Sequence, residues 1–269
     1  MIRKPVVAGR FYEGGKEALK REIQSCFKDP LPANKTFVKG VLSPHAGYMY
    51  SGHVAAAVLS RIEFPETFVI LGPNHTGMGE PCAVFDSGSW ETPLGSVEVD
   101  EELASNVLES SAVFQSDTAA HQSEHSIEVQ LPFLQYLGAG FKIVPVCMSL
   151  YAYEELVEAG KGIVAAVKKT GRKVAVLASS DMSHYEPDAE AKKKDGHAID
   201  AILRLMDRRL YDRVKREGIS MCGIGPAVAM LNAAWGLGAK SAELVKYATS
   251  ADVSGDYNSV VGYAGIIIR

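Results

Sequence analysis

Three separate stretches of the chain share one design: a short β-forming apolar run, then small residues, then a histidine. Val41-Leu42-Ser43 leads into Pro44-His45-Ala46-Gly47-Tyr48, and Val69-Ile70-Leu71 into Gly72-Pro73-Asn74-His75-Thr76-Gly77. Val176-Leu177-Ala178 leads into Ser179-Ser180-Asp181-Met182-Ser183-His184. The run Phe68-Val69-Ile70-Leu71 is apolar on both faces, as suits a strand covered by helices on each side. Such runs alternate with helical patterns, and no Pro/Gly/Ser-rich linker divides them. The pattern predicts one α/β domain over 1–269, a three-layer α/β/α arrangement around a mostly parallel or mixed sheet. Open α/β sheets bind ligands outside the carboxyl ends of their strands, and small residues there allow sharp turns and close approach. His45, His75 and His184 are therefore expected at one edge of the sheet. The alternative is three unrelated polar loop residues.

Core strands are predicted at 38–43, 67–72, 142–148, 173–179 and 260–268, with weaker candidates at 6–12, 82–86, 97–99 and 244–249. Helices are predicted at 16–27, 53–62, 101–110, 126–137, 153–169, 189–207 and 226–235. In the first of these Ala18, Leu19, Ile23 and Phe27 form one apolar stripe. Pro132 predicts a kink or restart, and Pro226 suits a first helical position.

Charge and composition narrow the function. Of 269 residues 47% are hydrophobic and 22% charged, enough apolar material for a large core. A net charge of −4 gives no electrostatic case for nucleic acid, and Lys192-Lys193-Lys194 reads as a solvated helix face. The N-terminus lacks the apolar stretch of a secretory signal, and the longest apolar tract, 260–268, is far shorter than the roughly 20 residues that span a bilayer. Cys26, Cys82, Cys147 and Cys222 are scattered, with no CxxC pair. They read as reduced thiols of a cytoplasmic protein rather than a disulfide scaffold.

Two further segments carry candidate chemistry. In Ser123-Glu124-His125-Ser126-Ile127-Glu128, His125 is placed at a helix start that favours neutral imidazole, with Glu128 one turn on; an exposed first turn is the alternative. The letters His121-Gln122-Ser123-Glu124-His125 match H-x-x-E-H, but that zinc motif needs one continuous helix and the preceding residues read as loop. Cys222 stands in a glycine-rich turn, Met221-Cys222-Gly223-Ile224-Gly225-Pro226, where a helix start would favour the thiolate. Tyr48, Tyr50, His53 and Asn74 could also line a pocket. Packing is the simpler reading for Tyr50 and His53, and His197 reads as surface.

Taken together, Ser43-Pro44-His45-Ala46-Gly47-Tyr48, Leu71-Gly72-Pro73-Asn74-His75, Glu124-His125-Ser126-Ile127-Glu128, Ser179-Ser180-Asp181-Met182-Ser183-His184 and Cys222-Gly223 resemble the Memo-like family, known in prokaryotes as AmmeMemoRadiSam system protein B. The resemblance runs in order from Pro5-Ala8-Gly9-Phe11-Tyr12 to the C-terminal strand. It implies a fold like that of class III extradiol dioxygenases, which use non-haem iron. By the same resemblance His45, His75 and Cys222 match the family's metal ligands, Asp181 and His184 line the pocket, and His125 falls on a pocket histidine of the dioxygenases. Cys222 stands where those dioxygenases supply a carboxylate, which argues against ring cleavage and leaves metal binding standing.

A thiolate in place of that carboxylate softens the site and widens its reach to copper, zinc or iron. The leading expectation is a redox enzyme holding iron or copper, with His184 as acid/base oriented by Asp181 and His125 as a polarising group. The alternatives are a binding module that holds phosphate or phosphotyrosine peptides in the same pocket, and a zinc-dependent hydrolase. The expected ligand is a small molecule or peptide. The family association also suggests an AMMECR1-like protein and a radical-SAM enzyme as partners in trans.

Overall fold

The computed structural model describes residues 1–28, 32, 34–150 and 152–269, which form twelve strands and nine α-helices. The strands are β1 (Ile2–Arg3), β2 (Gly40–Ser43), β3 (Thr67–Pro73), β4 (Cys82–Val84), β5 (Ser89–Thr92), β6 (Gly95–Glu98), β7 (Gln115–Ser116), β8 (Lys142–Met148), β9 (Val174–Ser179), β10 (His184–Glu186), β11 (Ala242–Thr249) and β12 (Val260–Ile268). The helices are α1 (Lys16–Cys26), α2 (Tyr48–Leu59), α3 (Glu101–Ser110), α4 (Leu131–Leu137), α5 (Tyr153–Thr170), α6 (Asp188–Leu203), α7 (Asp207–Glu217), α8 (Ile224–Gly236) and α9 (Ala251–Ser254).

A nine-stranded mixed sheet runs in the order β10-β12-β2-β9-β3-β8-β4-β7, with β11 also pairing β12. Its centre, β2-β9-β3-β8, is parallel throughout. β12 lies antiparallel to β2, and β4 antiparallel to β8, which makes the sheet mixed. A small second sheet, β1-β5-β6, stands apart. The central strands are buried along almost their whole length, as their unbroken apolar runs require.

Two glycines show the layering. Gly40 and Ile268 are register partners and share one face; Gly265, three residues before Ile268, looks to the other. A Cβ on Gly40 would lie 2.5 Å from the sulfur of Met230 in α8, and one on Gly265 would lie 2.9 Å from Val58 in α2. Helices α8 and α2 thus cover opposite faces of the sheet, giving the three expected layers. One apolar cluster reaches from Val7 to Ile268.

The expected elements that differ do so for local reasons. Residues 6–12 are not a strand. The Val6 and Val7 amides donate to the buried Glu128 carboxylate instead of to a neighbouring strand, and Gly9 turns the chain back with φ +79°. Residues 126–137 hold a 3-10 turn, Glu128–Gln130, followed by α4, which starts afresh at Leu131 with Pro132 as its second residue, the restart expected there. The helix expected over 189–207 stops at Leu203, because Leu205 takes φ +56°, and α7 follows as a separate helix. Pro226 is the third residue of α8, not the first.

Candidate metal centre

Parallel strands β2, β9 and β3 lie side by side, so their carboxyl ends deliver three loops to one place. The loop after β2 carries His45, that after β3 His75 and that after β9 Asp181. An Asp181 carboxylate oxygen accepts the His45 backbone N–H at 2.9 Å, tying the outer loop to the central strand. His125 arrives from elsewhere, on the stretch between two 3-10 turns, Ala119–His121 and Glu128–Gln130. No continuous helix joins His121 to His125, and His121 is buried with Nε2 3.0 Å from the Ala83 carbonyl.

The imidazoles of His45, His75 and His125 converge. Ring centroids are 5.3 Å apart for His45 and His75, 5.4 Å for His45 and His125, and 4.7 Å for His75 and His125. One ligand atom from each lies within 4.8 Å of the other two, so the trio could hold a metal ion. His45 is buried, whereas the His75 side chain is 35% exposed, so the group opens to solvent on the His75 side.

Buried partners aim these rings. The Ser179 hydroxyl donates to the Ser126 carbonyl at 2.7 Å and accepts from Gln130 Nε2 at 2.8 Å. Its single proton is thereby used, so the 2.9 Å contact with His45 Nδ1 requires N–H on Nδ1. That leaves the Nε2 lone pair of His45 for a metal or a proton. His75 Nδ1 lies 2.9 Å, and His125 Nδ1 3.4 Å, from one oxygen of Glu124. His45 and His75 thus spend Nδ1 on hydrogen bonds to the protein, the arrangement of metal-ligating histidines, while His125 Nδ1 stands only at ion-pair distance from Glu124.

Glu124 is the organising carboxylate. It also accepts the backbone N–H groups of His75, His125 and Ser126. Burial would raise its carboxyl, yet the bonds from His75 and the Ser126 amide outweigh that and hold it at about 2. Burial would lower His75, but Glu124 holds it above the ordinary imidazole range. Burial pushes His45 and His125 down, toward the neutral ligand form. Burial also pushes Asp181 up to about 6, against the pull of the His45 amide.

Cys222 meets this group through His45: its sulfur is 3.3 Å from His45 Nε2 and accepts the Asp181 N–H at 3.3 Å. Nitrogen and sulfur donors on one ion, at ~2.0 and ~2.3 Å, stand roughly 3.1–3.6 Å apart between right-angle and tetrahedral geometry. The sulfur is thus at ligand spacing from His45, but among the described residues it lies outside the set of donors within 4.8 Å of one another, which is His45, His75 and His125. Gly223 permits the approach, since a Cβ there would fall 2.5 Å from the Ser179 carbonyl. The helix start does not yield a thiolate in the metal-free protein: burial, reinforced by Asp181, pushes the thiol up. A bound cation would be needed to deprotonate it.

His184 is oriented by Ser220 rather than Asp181. Its Nδ1 is 2.9 Å from the Ser220 carbonyl and its amide donates to the Ser220 hydroxyl at 2.7 Å. It is half-buried. Tyr48 does not offer an acidic O–H, because its hydroxyl donates to the Val129 carbonyl at 2.7 Å and burial raises its pKa. Asn74 closes its own turn, accepting the Thr76 and Gly77 amides and donating to the Met78 carbonyl. His197 lies on the surface beside Glu217. Glu128, expected on His125's face, is instead buried against Arg3.

Comparison with known proteins meets this geometry. The sequence profile of the family described as "Memo-like protein" matches residues 3–267. The chain belongs to this family. It is 46% identical over 281 residues to the MEMO1 family protein MK0963 of Methanopyrus kandleri, covering 100% of this chain and 99% of that protein. It is 48% identical over 269 residues to a MEMO1 family protein of Methanococcoides burtonii, covering both chains fully. Among solved structures, the uncharacterized protein JW3007 of Escherichia coli K12 is similar with a TM-score of 0.55 at 12% identity, over 86% of this chain and 99% of that one. At that identity the likeness is one of fold. The histidine trio is where a metal could sit.

Proposed function

We propose that this Memo-like chain is a metal-dependent redox enzyme in which His45, His75 and Cys222 hold iron or copper and His125 closes the same pocket. The observation that carries the reading is the convergence of the His45, His75 and His125 rings, with Nδ1 of His45 held by Ser179 and Nδ1 of His75 by Glu124. The donor set fits: two neutral nitrogens and a soft sulfur suit iron, copper or zinc rather than magnesium or calcium. Iron or copper bound there would supply one-electron chemistry and an open position for a small-molecule or peptide ligand.

The chain's own groups have distinct tasks in this reading. Glu124 and Ser179 fix the rings, Asp181 holds the His45 loop, and His125 presents a hydrogen-bonding nitrogen to the ligand. His184, held through Nδ1 by Ser220, offers Nε2 as acid/base at the rim. Ring cleavage of the extradiol type is not proposed, because Cys222 replaces the carboxylate. The free thiols support operation in a reducing cytoplasm, with AMMECR1-like and radical-SAM proteins as partners in trans. Among the described residues no helix is long and apolar enough to cross a membrane.

The test is anaerobic loading with Fe(II), Cu and Zn of the parent and of Cys222→Ser. The reading expects one ion per chain, at least tenfold weaker binding of iron or copper in the variant, and redox cycling in the parent alone. No stoichiometric binding, or binding indifferent to Cys222, would contradict it. If zinc alone binds, the hydrolase reading takes its place.

A further inference from the structure

A second cavity, of about 140 Å³, opens between the end of α1, the face of α2 and β11, lined by Lys28, His53, Ser60, Arg61 and Lys246. Three cations and an imidazole face it, and among the described residues that line it there is no carboxylate. Arg61 shares Glu243 with Arg269, at 2.7 and 3.1 Å, so one negative charge serves two guanidinium groups. Among the described residues no salt-bridge partner stands beside Lys28 or Lys246. His53 is held below the ordinary imidazole range by burial first and then by Lys246, with Asp252 opposing, which agrees with a surplus of positive charge.

The cavity is not isolated. It shares Cys26, Lys28 and His53 with a cleft of about 300 Å³, which in turn shares Glu22 and Met49 with one of about 210 Å³. Met49, His53 and Ala57 recur every four residues, one ridge of α2, and Arg61 follows just past its end, so a single groove follows the helix. From Met49 to Ala57 the groove is roughly 12 Å long. Its far end is lined by Phe11, whose ring lies 4.8 Å from that of His125, and by Gly47, two residues after His45.

We propose that this groove binds a small extended ligand by a terminal phosphoryl group, which Lys28, His53, Arg61 and Lys246 receive. A compact pocket of several convergent cations suits a multiply charged anion with many acceptor oxygens better than a monoanionic carboxylate. The half-polar run past His53, Ala57 and Met49 takes the rest of the ligand. That its other end reaches the histidine centre rests on the function proposed above; the phosphoryl site does not.

Calorimetric titration with inorganic phosphate and with hexyl phosphate tests this, alongside NMR of the His53 ring and Met49 methyl. Both ligands should bind and shift His53. Hexyl phosphate should bind more tightly than inorganic phosphate and also shift Met49. Lys28→Ala combined with Lys246→Ala should weaken binding at least tenfold, and Lys246→Gln alone should weaken it measurably, while both variants keep the parent's metal stoichiometry. His75→Ala should leave the phosphate affinity unchanged. Absence of binding at millimolar ligand, binding indifferent to the lysines, or loss on His75→Ala would overturn the site. Equal affinity for hexyl and inorganic phosphate would overturn the groove. Loss of metal binding with phosphate binding intact would sink only the function proposed above.

Discussion

Ser179 shows how one hydroxyl can set a metal site. Its proton goes to Ser126, so His45 must donate from Nδ1 and keep Nε2 as a lone pair. Ser179→Ala removes that constraint at the cost of one small hydroxyl, and metal affinity should fall about 10–100-fold with the fold intact. Competition against a chromogenic chelator reads this; unchanged affinity would mean that packing alone aims the ring. Glu124→Gln should cost a similar factor and also destabilise, since a buried acceptor of three backbone amides is weakened. The histidines at strand ends were legible in the sequence because strand, small residues and ring follow one another along the chain. Glu124 and Ser179 were not legible as organisers. Glu124 differs from Glu128, four residues on, only in where the fold carries it: one meets the imidazoles, the other Arg3.

At the scale of elements, the predicted core strands were found nearly residue for residue, because buried parallel strands write unbroken apolar runs. The short edges β7 and β10 and the polar helix α7 carry little apolar signal, and the sequence did not reveal them. The strap formed by residues 6–12 shows the converse: its apolar residues pack as a strand's would and read as one, while Glu128 takes its amides and the Tyr12 hydroxyl. Arg3, buried over Trp90 and paired with Glu128, locks that strap beneath the His125 loop. Arg3→Ala leaves a carboxylate buried without its cation and should destabilise by about 3–5 kcal/mol in denaturant unfolding. Asp100 offers a pH test. It accepts from Thr67 Oγ1 at 2.6 Å, caps α3 through the Leu103 amide at 3.1 Å and pairs with Arg172. Burial would raise its carboxyl, but these bonds win and hold it below the ordinary range. A depressed carboxyl stabilises the fold above its unfolded pKa, near 4, and loses that contribution as pH falls through the folded value. Asp100→Asn should therefore cost about 1–3 kcal/mol at pH 7, and the gap to the parent should narrow below pH ~4 and close once pH has fallen through the folded value. A gap that persists there would assign the loss to packing.

On the scale of the whole molecule, three loops from one parallel sheet and a fourth from a 3-10 turn meet only in the folded chain, so an ion bound there binds the native state alone. At a hundredfold excess over Kd the metal should add about 2.7 kcal/mol of stability, a rise of several degrees in Tm for a chain of this size. Calorimetric scans with and without metal check this, and the rise should shrink in Cys222→Ser. The central claim is that nitrogen from two strand ends and sulfur from the α8 turn bind one ion. X-ray absorption at the metal edge of iron- or copper-loaded protein addresses it most directly. The account predicts nitrogen neighbours at ~2.0–2.1 Å together with one sulfur at ~2.3 Å that disappears in Cys222→Ser. A shell of nitrogen and oxygen alone in the parent, unchanged by the substitution, would contradict it.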